Sequence, residues 1–391
     1  MATPHAITNK VTLAVRNLRL MGFRSYENLN LDVDPVPVVL TGPNGAGKTN
    51  LLEALSLLAP GRGLRQASMA DFRLRGGDLV GWGISAHLET AVGRIDIGTG
   101  EDDCSLPGRR KVRINGDKAI GQNHLSEYLH VVWLTPQMDR LFTDSPSGKR
   151  RFFDRLVSGF YPEHARRLTA YQRCLRERME MLRQNRIDNF WLTAVEETLS
   201  EHGVAVTAAR SDVLNRLNIL LQSPYESLFP KVDMELTGAV ESWLTDMPAT
   251  AVEERVRAAL ASSRSRDSDT GRTLFGPHRT ELLVRHANHD LPAEQCSTGE
   301  QKMLLVSIIL AHAQAQVERT GQTPLVLLDE AMAHLDATHR RHLIDILCFL
   351  GVQAWLTGVE PDLFSAFAAR AQFLNINEGR VGKCKVERRT W

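Results

Sequence analysis

The chain has 391 residues, 43% of them apolar and 24% charged, enough for two or three globular domains with a substantial core. No stretch approaches an uninterrupted membrane span and Met1 to Lys10 lacks the apolar centre of a secretory signal, so a cytoplasmic protein with no membrane partner is expected. A net charge of +1 excludes a global basic field, and any contact with DNA has to come from local clusters.

From Val11 to Thr41, alternating apolar residues with turn breaks at Asn28 and Pro35 predict strands. The last of them, Val38-Val39-Leu40, runs into Gly42-Pro43-Asn44-Gly45-Ala46-Gly47-Lys48-Thr49, and Leu51 to Leu55 leads out as a helix. This is a complete G-x-x-x-x-G-K-[ST] phosphate loop in the strand-to-helix setting that such a loop requires. Glycines at 42, 45 and 47 let backbone amides curl around phosphate oxygens with no Cβ in the way, and the helix N-terminus adds partial positive charge. Lys48 is expected to reach the β and γ phosphates of ATP and Thr49 to bind Mg2+, with Asn50 completing the nucleotide-binding set.

Ala86 to Ile97 and Lys111 to Ile114 read as further strands around a polar loop, Gly98 to Gly108, which makes an antiparallel β layer beside the nucleotide core. Ser145-Pro146 then gives a helix start, and Arg151 to Leu221 keeps helical periodicity. This inserted lobe continues to about Ala261, and Ser262 to Asp269 is expected to be a polar connector. Three basic groups are candidate DNA contacts: Arg62, Arg65, Arg73 and Arg75; Arg109-Arg110-Lys111-Val112-Arg113; and Lys149-Arg150-Arg151. Each reads equally as a solvated face or as a set of internal ion-pair partners.

The chain returns to the core at Leu274 to Leu282, after which strand patterns at Pro324 to Leu328, Gln353 to Thr357 and Gln372 to Ile376 alternate with helices from about Gly299 and Ala337. That alternation indicates a parallel α/β sheet. Thr323 to Glu330 is an apolar run closed by two acids, the pattern of a buried parallel strand ending at a site. Asp329 is expected to hold Mg2+ and Glu330 to orient and deprotonate the attacking water, with Lys48, Asp329 and Glu330 as the catalytic set. Five scattered cysteines, Cys104, Cys174, Cys296, Cys348 and Cys384, without a C-x-x-C, argue against a disulfide framework and a zinc site.

Ser297-Thr298-Gly299-Glu300-Gln301 precedes a strongly apolar helix and is, taken alone, a good helix cap. With the phosphate loop, the paired acids and Ala333-His334-Leu335-Asp336 behind them, it resembles the signature and D-loop of ABC-type ATPases. The fold class that follows is α/β, an ABC-type P-loop ATPase head with an antiparallel β layer and an inserted helical lobe. Residues 1–144 and 271–391 are assigned to the ATPase core and 145–270 to the lobe. In that class, resemblance implies that Ser297 and Gly299 of one subunit meet the γ-phosphate held by Lys48 of another, so that complete sites form only in a head-to-tail dimer.

Four stretches in order carry a closer resemblance: Asn17 to Tyr26, Ser145 to Asp154, Phe275-Gly276-Pro277-His278-Arg279, and Cys296 to Lys302. Across nearly the whole chain they resemble the RecF family of bacterial recombination mediators. The resemblance implies an ATP-dependent homodimer that binds DNA at gaps and single-strand/double-strand junctions and helps RecO and RecR load RecA in gap repair and the SOS response. It also puts Gln137 in the Q-loop region, where its amide either senses Mg2+ and nucleotide or belongs to an ordinary loop. Asp329-Glu330 departs from the two aspartates of many members, and Ala354-Trp355-Leu356-Thr357 ends without the histidine switch of transporter ATPases, leaving Thr357 as a candidate γ-phosphate sensor. His278 and Arg279 reach nucleotide or lock the lobe to the core. A transporter nucleotide-binding subunit fits less well, because there the signature lies far closer to the phosphate loop. A non-hydrolytic DNA-binding scaffold is opposed by Glu330.

Overall fold

A computed structural model describes residues 13–74, 81–101, 110–119, 121–183, 188–222 and 228–383. Arg75, Arg109, Cys104 and Cys384, named above, lie outside the described residues. Contacts divide the chain into two units, one drawn from Met1–Asp139, Pro224–Phe229 and Leu305–Trp391, the other from Arg140–Ser223 and Pro230–Leu304.

The first unit contains two six-stranded sheets among the described residues. In the core sheet the spatial order is Arg380–Lys383, Gln372–Asn377, Val38–Thr41, Ala354–Gly358, Leu325–Leu328 and Val131–Leu134. All neighbours are parallel except the first pair, a hairpin. The phosphate-loop strand and the acid-ended strand are fully buried, as expected where both faces of a parallel sheet are covered. The strand Ala354–Gly358 lies between them, so Thr357 is delivered to the same end of the sheet as Thr41 and Leu328.

The second sheet is the antiparallel layer: Tyr26–Asp32, Leu13–Phe23, Gly83–Thr90, Gly93–Glu101, Arg110–Ile114 and Asp117–Lys118. Its inward residues, among them Leu18, Leu20, Ile84 and Ile97, join Leu40, Leu51, Leu55 and Trp355 in one hydrophobic cluster. Buried Gln353 clips the two sheets: its Oε1 accepts from Val15 N at 2.8 Å, and its Nε2 donates to Val15 O at 3.0 Å and Asp34 O at 2.9 Å. A side-chain amide thereby satisfies backbone groups that would otherwise be buried unpaired. The turn expected at Asn28 falls earlier, where Arg24 adopts φ 53°, and Asn28 sits inside a strand. Ala86 to Ile97 is two strands turning at Ala91-Val92, and the second runs on through Gly98 to Glu101, which were expected in the polar loop; the rest of that stretch, 102–108, lies outside the described residues.

The second unit is built on Pro146–Ser158, His164–Leu182 and the 33-residue helix Asn189–Leu221. Ser145 Oγ accepts from Gly148 N at 3.3 Å and Pro146 occupies the first turn, where its missing N–H costs nothing. Strands Val232–Thr237 and Glu281–His286 pair antiparallel, so residues 271–304 group by contact with the helices and not with the ATPase core to which sequence assigned them. The first of these strands lies inside the stretch read as helical lobe. Ser262 to Asp269 is corrected as well. The polar run is helical, Arg264–Thr270, and Asp267 is fully buried beneath it.

The cause is Arg178, itself fully buried. It donates to Glu196 at 2.9 Å, to Asp267 and Thr273 at 2.8 Å, and to Leu260 O at 2.9 Å. Burial of so many charges is tolerable only because each is paired and hydrogen-bonded.

Candidate nucleotide site

The loop after Val38–Thr41 is made by glycine. Gly42, Gly45 and Gly47 have φ of 141°, 80° and 111°, a region L side chains avoid. A Cβ on Gly42 would lie 2.1 Å from Ile376 O, and one on Gly47 2.8 Å from the Tyr26 hydroxyl. Tyr26 in turn donates to Gly47 O at 3.0 Å. The helix Lys48–Ser56 starts at this point, so its unpaired N–H groups open onto the loop.

Lys48 Nζ donates to Gly42 O at 2.6 Å and Pro43 O at 2.9 Å. Burial lowers its pKa, and the carboxylates of Glu330 and Asp329 oppose that shift. Asp329 gathers the remaining groups. Its Oδ1 accepts from Thr49 Oγ1 at 3.1 Å and Thr357 Oγ1 at 2.8 Å, and its amide donates to Leu134 O at 2.9 Å. Burial raises the Asp329 pKa, the two threonine hydroxyls lower it, and Glu330 pushes it up again. Thr357 Oγ1 also accepts from Glu330 N at 2.9 Å. Glu330 stands at φ 52°, an uncommon conformation for a non-glycine residue and one that concentrates at functional sites.

The phosphate loop and the paired acids, 280 residues apart along the chain at Thr49 and Asp329, thus form one site. Its hydroxyl and carboxylate oxygens are hard donors, the kind Mg2+ takes, so Thr49 and Asp329 fit the ion. Gln137 lies exposed on the turn Pro136–Arg140, behind the strand that neighbours the Asp329 strand. Among the described residues it makes no hydrogen bond to Thr49 or Asp329.

Residues not singled out for this site support it. Arg24 makes a bidentate pair with fully buried Glu53 at 2.7 and 2.8 Å, and Arg65 donates to Asn50 Oδ1 at 3.0 Å and approaches Glu53 at 3.4 Å. Asn50 also donates to Ser25 Oγ at 2.9 Å. The only sequence signal for them is an Arg-Ser-Tyr turn ahead of the loop and an acid one turn into its helix.

The basic groups resolve largely into internal partners. Arg73 pairs with Glu101 at 2.6 and 2.5 Å, and half-buried Arg110, its pKa lowered by desolvation to about 10, donates to the carbonyls of Leu57 and Gly61. Lys149 meets Glu294 at 2.8 Å and Arg150 donates to Thr280 O at 2.7 Å. Arg62 and Arg113 are exposed.

In the other unit, Ser297 is the N-cap of the helix Thr298–Thr320 in a complete capping box. Glu300 Oε2 accepts from Ser297 N and Oγ, both at 2.8 Å, and Glu300 N donates to Ser297 Oγ at 3.3 Å. Ser297 is exposed and Gly299 half-buried, whereas Gln301 is buried and donates to Cys296 O at 2.9 Å. His278 is locked within this unit between Tyr171 Oη at 2.6 Å and Thr273 O at 2.8 Å, which favours its structural reading.

A family described as an AAA domain matches residues 17–73. "DNA replication and repair protein RecF" of Mesorhizobium japonicum is 47% identical over 94% of this chain and 97% of its own length. The protein of the same name from Rhizobium rhizogenes is 45% identical over 94% and 98%. Among solved structures, the recombination mediator protein RecF with ATP in the RecFOR pathway superposes with a TM-score of 0.84 at 20% identity, covering 97% of this chain and all of that one. An Smc head domain from Pyrococcus furiosus gives 0.54 at 15% identity, over 96% and 97%. The fold is that of these ATPase heads. Among the described residues no helix is long and apolar enough to cross a membrane.

Proposed function

The chain belongs to the RecF family of DNA replication and repair proteins, and on that premise we propose that it is an ATP-dependent DNA-binding protein of recombinational gap repair and the SOS response. ATP joins two copies head to tail, the dimer holds single-strand/double-strand junctions, and with RecO and RecR it assists RecA loading. Hydrolysis, slow because a dimer must assemble before chemistry, releases the DNA. The protein works in the cytoplasm.

The observation that carries this reading is the hydrogen-bonded chain Thr49–Asp329–Thr357–Glu330. It ties the phosphate loop to the acid pair, the arrangement phosphoryl transfer needs, where the protein's work is positioning and charge stabilisation. Residues 42–50 bind the triphosphate, with Lys48 on the β and γ oxygens. Thr49 and Asp329 hold Mg2+, with Gln137 as its sensor. When bound, Mg2+ neutralises charge developing on the phosphate oxygens. Glu330 orients the attacking water and takes its proton. Ser297 and Gly299 of a second copy complete the γ-phosphate side; the exposure of Ser297 at a helix N-terminus supports this.

Binding to single-stranded, duplex and gapped DNA, measured with ATP, ADP and no nucleotide across a salt series, tests the proposal. ATP-dependent preference for gapped DNA is expected, with a salt slope that counts the phosphates neutralised. Binding indifferent to nucleotide would overturn the clamp.

A further inference from the structure

At the end of the strand Glu281–His286 the chain turns through residues 287–290, pairs back at Leu291–Pro292, and within a few residues reaches the signature helix. This turn brings His286, His289 and Glu300 together. One ring nitrogen from each histidine and one carboxylate oxygen from Glu300 lie within 4.8 Å of one another, and the two rings stand 4.3 Å apart.

Each ligand is available for a metal. His286 is 95% buried, at 5% exposure, and its Nδ1 has no hydrogen-bond partner among the described residues, a costly arrangement that calls for an explanation. Two of the three hydrogen bonds of the Ser297 cap engage Glu300 Oε2 and the third runs from Glu300 N to Ser297 Oγ, which leaves Oε1 outside that set. His289 is exposed on the turn and able to move onto an ion.

We propose that His286, His289 and Glu300 form a binding site for a borderline divalent metal ion, Zn2+ by chemistry, at the foot of the signature helix. Two imidazoles and a carboxylate with an open position suit Zn2+ and not Mg2+, which prefers oxygen ligands in an octahedral array. Bonds of about 2.1 Å require donor atoms no more than about 4.2 Å apart, so the cluster closes slightly around the ion, an adjustment that falls on exposed His289. Ligation through Oε1 would fix the carboxylate that caps Ser297, so the ion braces the start of the signature helix.

The test is calorimetric titration of ZnCl2 into the full-length chain, stripped of metal and held in excess Mg2+, beside His289→Ala and Cys296→Ser. Buried Cys296, four residues before Glu300, is the soft donor tested as a rival ligand. The proposal expects one Zn2+ per chain, at least tenfold weaker binding in His289→Ala with an unchanged melting temperature in EDTA, and unaltered binding in Cys296→Ser. Co2+ in place of Zn2+ should give weak visible bands and no thiolate charge-transfer band. Absence of stoichiometric binding, displacement by Mg2+, full binding in His289→Ala, or loss in Cys296→Ser would each overturn it.

Discussion

Replacing Thr357 with valine keeps the shape of a fully buried side chain and deletes one hydroxyl that does two jobs. That hydroxyl donates to Asp329 Oδ1 at 2.8 Å and accepts from Glu330 N at 2.9 Å, so both acids lose a positioning contact. A hydrogen bond to a charged group contributes about 1.5–3 kcal/mol, and the neutral one about 0.5–1.5 kcal/mol. Asp329 retains Thr49, so the charged bond sets the scale, and about 1.4 kcal/mol per decade makes this roughly a ten- to hundredfold fall in turnover. The phosphate-loop amides and Lys48 are untouched, and ATP affinity should be essentially unchanged. Steady-state phosphate release together with fluorescent-ATP binding separates the two effects, and Thr357→Ser, which keeps the hydroxyl, should restore most of the rate. Wild-type turnover in Thr357→Val, or an affinity loss as large as the rate loss, would refute the reasoning.

Three further outcomes follow from the same geometry. Burial is the leading cause of the raised Asp329 pKa, so its ionised form costs the fold stability once pH rises through that pKa. Asp329→Asn should therefore raise the melting temperature at neutral pH but not at acid pH, while turnover falls to background. Gly42→Ala puts a methyl group against Ile376 O at φ 141° and should destabilise the first unit by about 1–3 kcal/mol, with loss of ATP binding, measured by thermal denaturation with and without nucleotide. In the second unit, burial pushes the Asp154 pKa up, but the Arg210 charge and the hydrogen bonds from His164 and Arg210 outweigh it and hold the group at about 2. Its contribution is present above the unfolded carboxylate range and is lost as pH falls toward 2. Asp154→Ala should cost about 3–5 kcal/mol near neutrality, a gap to wild type that narrows on acidification in urea melts.

What was legible in sequence was whatever has a local pattern. The phosphate loop, the acid-ended strand and the Ser-x-x-Glu cap are short motifs whose residue types are set by backbone geometry, and each was recognisable where it stands. Long-range pairing has no such pattern. Arg73 and Arg110 look like basic surface until Glu101 and the carbonyls of Leu57 and Gly61 are seen around them. Asp267 looks like part of a polar connector until Arg178 is seen behind it, 89 residues away in sequence. Thr357 was identified only as a candidate contact for the γ-phosphate; its link to Asp329 and Glu330 depends on which strand lies between two others. The grouping of 271–304 with the helices likewise depends on the pairing of Val232–Thr237, a strand hidden within a mostly helical stretch.

The central claim is that the site is completed only by a second copy. Its most direct test is the mass in solution, by light scattering after gel filtration, of Glu330→Gln with ATP and Mg2+, beside the same protein carrying Ser297→Ala. A dimer is expected for the first and a monomer for the second, with monomers for both in ADP. A mass independent of nucleotide, or a dimer undisturbed by Ser297→Ala, would contradict the account.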